Sequence, residues 1–377
     1  MKFFVLSFLI IIEISPAQGS KGSPKARQRG HILTMGKTRF MIWGAASTGI
    51  MPKGCSVSPD GKWLFVSNFG RKNVKNISVY ETPSLKFHKY LSYRGNSVET
   101  AVSPDSKTLY STNMYGYYLD VIDIGAFTLR KRIKIGYFPK LILLNRAGDT
   151  AFISLWEGAG FMKVDTVSGV KKRYVTRKGN PRGLSLSPDE KTLYVANNRG
   201  KTYTVVDLTG KLKNSVPPLV HHNIGRGPRH TALSSDGKTL YISTLGSSSV
   251  YVLDTKTKKV IKRVPVGKKP KTIELSKDGK FLYTANYTGH SISIMDTSTF
   301  EVKTLDVDIV RASGLTVGHN DRFIYVTGWC SDDVWAIMRL KDNEKVPVTL
   351  GPSIKRRGLD RKSPRDWFGC SIKKSRK

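Results

Sequence analysis

The 377-residue sequence predicts an all-β chain, a seven-bladed β-propeller of four-stranded antiparallel blades. Three observations predict it. A turn of the Ser-Pro-Asp-Gly type returns every 42 to 47 residues, at Asp60, Asp105, Ala147, Asp189, Asp236, Asp278 and Asn320. Each turn is followed by a strand of the Leu-Tyr-Val-x-Asn type. No segment sustains the 3.6-residue period of an amphipathic helix. Four short strands in a period of about 42 residues is the mark of a propeller blade.

Composition permits such a core, with 39% hydrophobic and 10% aromatic residues. Its 34 Gly and 17 Pro are scattered, which excludes disordered, collagenous and low-complexity classes. Three cysteines are too few for a disulfide scaffold. The outlier is charge: 63 Lys and Arg against 28 Asp and Glu, a net +35. That excess argues for anionic surroundings or partners and says nothing about fold.

At the N-terminus, Lys2 precedes an apolar run, Phe3 to Ile12, closed by Glu13. The run is about half the length a bilayer-spanning helix needs. Pro16-Ala17-Gln18-Gly19 supplies the small residues of a cleavage site, so residues 1–19 read as a secretory signal peptide. No later stretch is long enough to span a membrane. The expected product is exported, whether periplasmic, cell-surface or secreted. Residues 20–45 form a basic segment, 46–350 the propeller and 351–377 a basic tail.

Within each repeat the chemistry is consistent. Pro presets φ, Asp bonds its own backbone and Gly accepts positive φ, which makes a hairpin turn. The next strands, such as Leu193-Tyr-Val-Ala-Asn197, are β-branched and aromatic, as half-buried strands prefer. Third strands alternate, as in Ser291-Ile-Ser-Ile-Met-Asp296, and more polar fourth strands follow, as in Lys259-Val-Ile-Lys-Arg-Val264. Two segments compete to close the ring: residues 38–43, which are favoured as a strand added to blade 7, and residues 346–350.

Tyr194-Val-Ala-Asn197 and Tyr325-Val-Thr-Gly328, with the Ser-Pro-Asp-Gly turns, resemble the bacterial YVTN-repeat family of periplasmic seven-bladed β-propellers. The resemblance covers roughly residues 46–350. Blades 3 and 7 depart from it, with Asn145-Arg-Ala-Gly148 and Gly318-His-Asn-Asp321 at the turn. It implies a fold more than a function, since this propeller type serves lactonases, dehydrogenase subunits, surface-layer proteins and binding scaffolds alike.

The repeat register allows positions to be superimposed around the ring. Just before the first strand stands a position held by Lys53, Val98, Lys140, Arg182, Arg229, Lys271 and Ser313. Five of the seven are basic, where 63 Lys and Arg in 377 residues would put about one. Just after the second strand come Phe69, Met114, Trp156, Asn198, Leu245, Tyr287 and Trp329, four of them aromatic. Both positions belong to one face of an antiparallel blade, so a basic and aromatic channel mouth is expected. It would suit an anionic ligand with flat or apolar parts. His230 and Glu99, one residue further along, add a titratable donor and acceptor. The Pro–basic pair is also ordinary repeat grammar, and the aromatics can simply pack between blades.

The tails carry part of the charge. Residues 20–40 hold six basic residues and no acid, and residues 352–377 hold ten basic residues and two acids. Such arms suit polyanions: polysaccharide or lipid headgroups before nucleic acid, for which no recognition motif is present. Cys55 and Cys330 lie on blades that neighbour each other in a closed ring and could bridge. Cys330 with Cys370 is equally open. No histidine has zinc-ligand spacing, no haem-attachment motif occurs, and no nucleophile elbow is found. The reading is therefore a monomeric, non-enzymatic binding scaffold for an anionic small molecule or polyanion, with no cofactor or metal. A protein partner is left open. The alternatives are a propeller hydrolase of the lactonase kind, or an electron-transfer or dehydrogenase subunit that needs a partner chain.

Overall fold

The computed structural model describes residues 29–353 and Cys370, apart from residues 71, 178 and 319. The expected signal peptide, residues 20–28 and the tail beyond residue 353, Cys370 excepted, lie outside the described residues. The described chain forms seven antiparallel sheets, one per repeat, and is a β-propeller. Among the described residues no helix is long and apolar enough to cross a membrane.

Six sheets are built from four consecutive strands. The seventh joins both ends of the ring: Thr38–Ser47 pairs antiparallel with Asp333–Leu340 and carries Ile32–Met35 outside it. The segment 38–47 can do this because Phe40, Met41 and Ile42 are apolar and become fully buried. Residues 346–350 form no strand. Their Pro347 has no N–H to give a ladder.

The seven turns share one backbone. The residue after the turn position is left-handed in every blade: Gly61, Ser106, Gly148, Glu190, Gly237, Gly279 and Asp321. Blades 3 and 7 thus keep the turn that their sequences obscure. In blade 1, Ser58 Oγ donates to Asp60 Oδ1 at 2.6 Å and accepts the Trp63 N–H at 2.9 Å. The same pair of bonds recurs at Ser103, Ser187, Ser234 and Ser276. The motif Asn works inside its own blade. Asn286 Nδ2, for example, donates to Ser291 Oγ and Ser293 Oγ at 3.1 and 2.9 Å.

The core is divided among the seams between blades. Blades 6 and 7 meet through Phe281, Tyr283, Phe40 and Ile42. Blades 7 and 1 meet through Tyr325, Val334, Leu64 and Tyr80. Each remaining seam has its own apolar cluster. The second and third strands supply these residues from both of their faces, which explains their near-continuous apolar character. The first strands of successive blades touch one another around the ring and line its axis.

Candidate functional site: a buried cationic cluster on the axis

The first strand of five blades opens on Pro, paired with the last residue of the second strand. These pairs are Pro52 with Asn68, Pro139 with Leu155, Pro181 with Asn197, Pro228 with Thr244 and Pro270 with Asn286. Proline is tolerated at a strand's first residue, where the ladder needs no donor. In each case the register slips immediately afterwards. Such a bulge re-aims a side chain. The residues inside the slips are Lys53, Lys140, Arg182, Arg229 and Lys271.

Two features hold these bulges. Glycine lets the strands approach: a Cβ on Gly54 would lie 1.8 Å from Glu99 Oε2, and one on Gly314 would lie 2.0 Å from the Lys53 carbonyl oxygen. A hydroxyl then stitches blade to blade. Thr327 Oγ1 accepts the Gly314 N–H at 2.8 Å and donates to the Lys53 carbonyl at 2.9 Å. Thr112 does the same for Glu99 N–H and the Lys140 carbonyl, at 3.2 and 2.6 Å. Ser243 does so for His230 N–H and the Lys271 carbonyl, at 3.1 and 3.0 Å. In three blades the variable position of Leu-Tyr-Val-x-Asn thus fixes the lysine of the next blade, Lys53, Lys140 and Lys271.

The five cations converge on one carboxylate. Arg182 Nη2 donates to Glu99 Oε1 at 2.6 Å. Lys53 and Lys140 are each only 7% exposed and Arg182 is 4% exposed. Burial, followed by repulsion from Lys140, Arg182 and Lys271, holds Lys53 well below the ordinary lysine range. Burial, then Arg229 and Arg182, does the same to Lys271. Lys140 is pushed down to about 7 by burial, Arg182 and Arg229. Arg229 falls to about 9 and His230 to about 4, again mainly by burial. Glu99 opposes the fall for all five of these groups. Two buried nitrogens beside it, Arg182 Nη1 and His230 Nδ1, have no hydrogen-bond partner.

The aromatic residues stand next to the cations, and their faces are already in use. Lys53 Nζ lies 4.9 Å from the Phe69 ring and 5.8 Å from Trp329. Lys271 Nζ lies 3.9 Å from Tyr287 and 5.1 Å from Trp329. Trp156 takes Lys140 at 5.4 Å and Arg229 at 5.8 Å. The rings thus serve as neutral partners for buried cations, where the sequence suggested a platform for flat ligand parts. Phe69 and Trp329 pack at 5.5 Å within an apolar cluster that includes Met51, Val98, Cys330 and Cys370. Met114 and Asn198, at the same repeat position, join the site. The Lys140 ammonium lies 2.8 Å from Met114 Sδ, and Arg229 Nη1 lies 3.4 Å from Asn198 Oδ1. Only their repeat position marks them in the sequence, since neither is aromatic or charged.

The candidate bridge between Cys55 and Cys330 does not form. Cys330 is bonded to Cys370, and Cys55 is a free, buried thiol. Cys55 belongs to the seam between blades 7 and 1, with Sγ 3.8 Å from the Tyr325 carbonyl oxygen, whereas Cys330 lies in the cluster at the mouth.

Comparison with known proteins agrees with the architecture. Residues 225–347, about a third of the chain, match the Cytochrome D1 heme domain family. Antigen Lp49 of Leptospira interrogans is 26% identical over 198 residues, which cover 50% of this chain and 41% of Lp49. The match therefore spans less than half of Lp49's own length. A solved chain of Kuenenia stuttgartiensis Hydrazine Synthase superposes with a TM-score of 0.68 at 20% identity, covering 80% of this chain and 98% of its own. That likeness shows the propeller fold. The mouth described above does not suit a tetrapyrrole, because Phe69 and Trp329 pack on each other at 5.5 Å in one cluster with Cys330 and Cys370 and their rings already meet Lys53 and Lys271.

Proposed function

We propose that this chain is an exported, non-enzymatic binding scaffold of the YVTN-repeat type whose propeller axis seats an anionic ligand. One observation carries the reading: five cationic side chains from five blades are gathered around a single carboxylate, Glu99, and three of the five are nearly inaccessible. Burying unbalanced cations is costly, so such clusters are kept where an anion offsets them. The hydrolase alternative asks for several carboxylates around a metal. Here the lone carboxylate is outnumbered by cations that would repel a metal.

The test is anion binding followed by thermal unfolding, since a ligand that binds only the folded chain raises its melting temperature. Sulfate at constant ionic strength is expected to stabilise the protein, and the double variant Arg182→Ala, Arg229→Ala to lose that response. Equal stabilisation of both proteins, or stoichiometric calcium in the purified protein, would overturn the reading.

A further inference from the structure

We propose that the axial cluster is the seat of a phosphate group, and that Glu99 is a built-in competitor which occupies part of that seat until phosphate displaces it. This rests on the anion-binding reading above and specifies the ligand's chemistry and how the site is kept in its absence.

Three observations lead there. The donors reach the cluster from five blades, so they surround a point on the axis and do not form one flat edge. A compact tetrahedral oxyanion can accept from many directions at once, whereas a single carboxylate offers one plane. Next, the surroundings favour a small ligand. Met51, Val98, Phe69, Trp329 and Cys370 pack together beside the cations, and each aromatic face there is taken by an ammonium or guanidinium group. Last, the present anion is incomplete. Glu99 bonds one nitrogen of Arg182 at 2.6 Å, yet the other end of the same guanidinium, Nη1, is buried without a partner. Buried polar groups are nearly always satisfied, and an orphaned guanidinium donor beside a charged site calls for an acceptor. Phosphate brings more acceptor oxygens than one carboxylate and a second negative charge.

Glu99 then has a defined task. It keeps the cations tolerable to the empty fold and is the group phosphate must push aside. Gly54 marks how tightly it is seated, because any Cβ there would strike its carboxylate. Removing the charge while keeping the shape, Glu99→Gln, lifts the competition.

Calorimetry with inorganic phosphate and, separately, with citrate, at constant pH and ionic strength, tests this on the full chain. Wild type is expected to bind phosphate, and Glu99→Gln to bind it at least about tenfold tighter, a difference of about 1.4 kcal/mol. Citrate is expected to bind at least tenfold more weakly than phosphate to both. If Glu99→Gln folds poorly, the wild-type comparison of phosphate with citrate and the variant Arg229→Ala, which should weaken phosphate, still decide. Phosphate affinity unchanged or reduced in folded Glu99→Gln, or citrate binding as well as phosphate, overturns the inference while leaving the anion-binding reading standing. No binding of either anion by wild type or variant overturns both.

Discussion

Replacing Thr327 with Val deletes one hydroxyl at the seam where blade 7 meets blade 1. The side chain is fully buried and its shape is nearly preserved, so no cavity is made. What is lost is two hydrogen bonds at once, from the Gly314 N–H at 2.8 Å and to the Lys53 carbonyl at 2.9 Å. An unsatisfied buried polar group costs about 1–3 kcal/mol. Two of them predict a loss of about 3 kcal/mol, at the larger end for a single substitution. Water cannot easily repair it, since a Cβ on Gly314 would already lie 2.0 Å from the Lys53 carbonyl oxygen. Blade 6 shows how the stitch can be replaced: Ala285 stands at this position, and Thr272 Oγ1 reaches the Ser313 carbonyl at 2.7 Å. Gly314 has no side chain that could do the same for Lys53. Urea unfolding is the assay, with the midpoint lowered and the denaturant slope unchanged. A loss below about 0.5 kcal/mol would refute the reasoning and show that the hydroxyl does not hold the bulge carrying Lys53.

Other outcomes follow from the same geometry. Sulfate affinity should rise as pH falls from 9 to 6, because Lys140, held near 7 by burial, Arg182 and Arg229, gains a proton when an anion arrives. Lys53 and Lys271 act in the same sense, and a flat pH profile would contradict it. Glu274 is half-buried and raised by desolvation to about 7 from 4.5, so its contribution to stability is full below about 4.5 and fades as pH rises to 7. Glu274→Gln, which keeps an oxygen for the Val317 N–H, should remove that slope and stabilise the protein at pH 8 by roughly 3 kcal/mol. Cys370→Ser should lower stability by about 4 kcal/mol, the chain-entropy value for a 40-residue separation. Matched unfolding curves for the variant and the oxidised protein would show that the bridge contributes nothing.

The blade count was legible in the sequence because each blade repeats a turn whose residue types are forced by backbone geometry. Even Asn145-Arg-Ala-Gly148 kept the glycine that the left-handed position accepts. The basic position was legible from register alone. Its burial was not, because the bulges that aim Lys53 and Arg182 at the axis leave no mark on the order of polar and apolar residues. Glu99 was visible as an acid one residue out of step. That it would face Arg182 on a blade 83 residues away is a property of ring closure, which no local pattern encodes. The cysteines misled for a related reason: neighbouring blades put Cys55 and Cys330 close in order around the ring, yet the sulfur of one enters a seam and that of the other stays at the mouth.

The outermost strands carry a different part of the charge. Lys86–Leu91, Thr128–Lys134, Lys171–Val175 and Val260–Pro265 are largely exposed and rich in Lys and Arg. Each is an edge with a row of unpaired backbone groups, the kind of template on which strands from other chains add. A ring with four such edges would be a good seed for fibres if those edges were apolar. Their lysines and arginines make an approach between any two of these edges a meeting of like charges. Their cover depends on ionic strength, since a Debye length of about 8 Å at physiological salt shrinks to about 3 Å at 1 M. Concentrated salt, the usual remedy for a sticky basic protein, would here strip away what keeps one ring from knitting to the next.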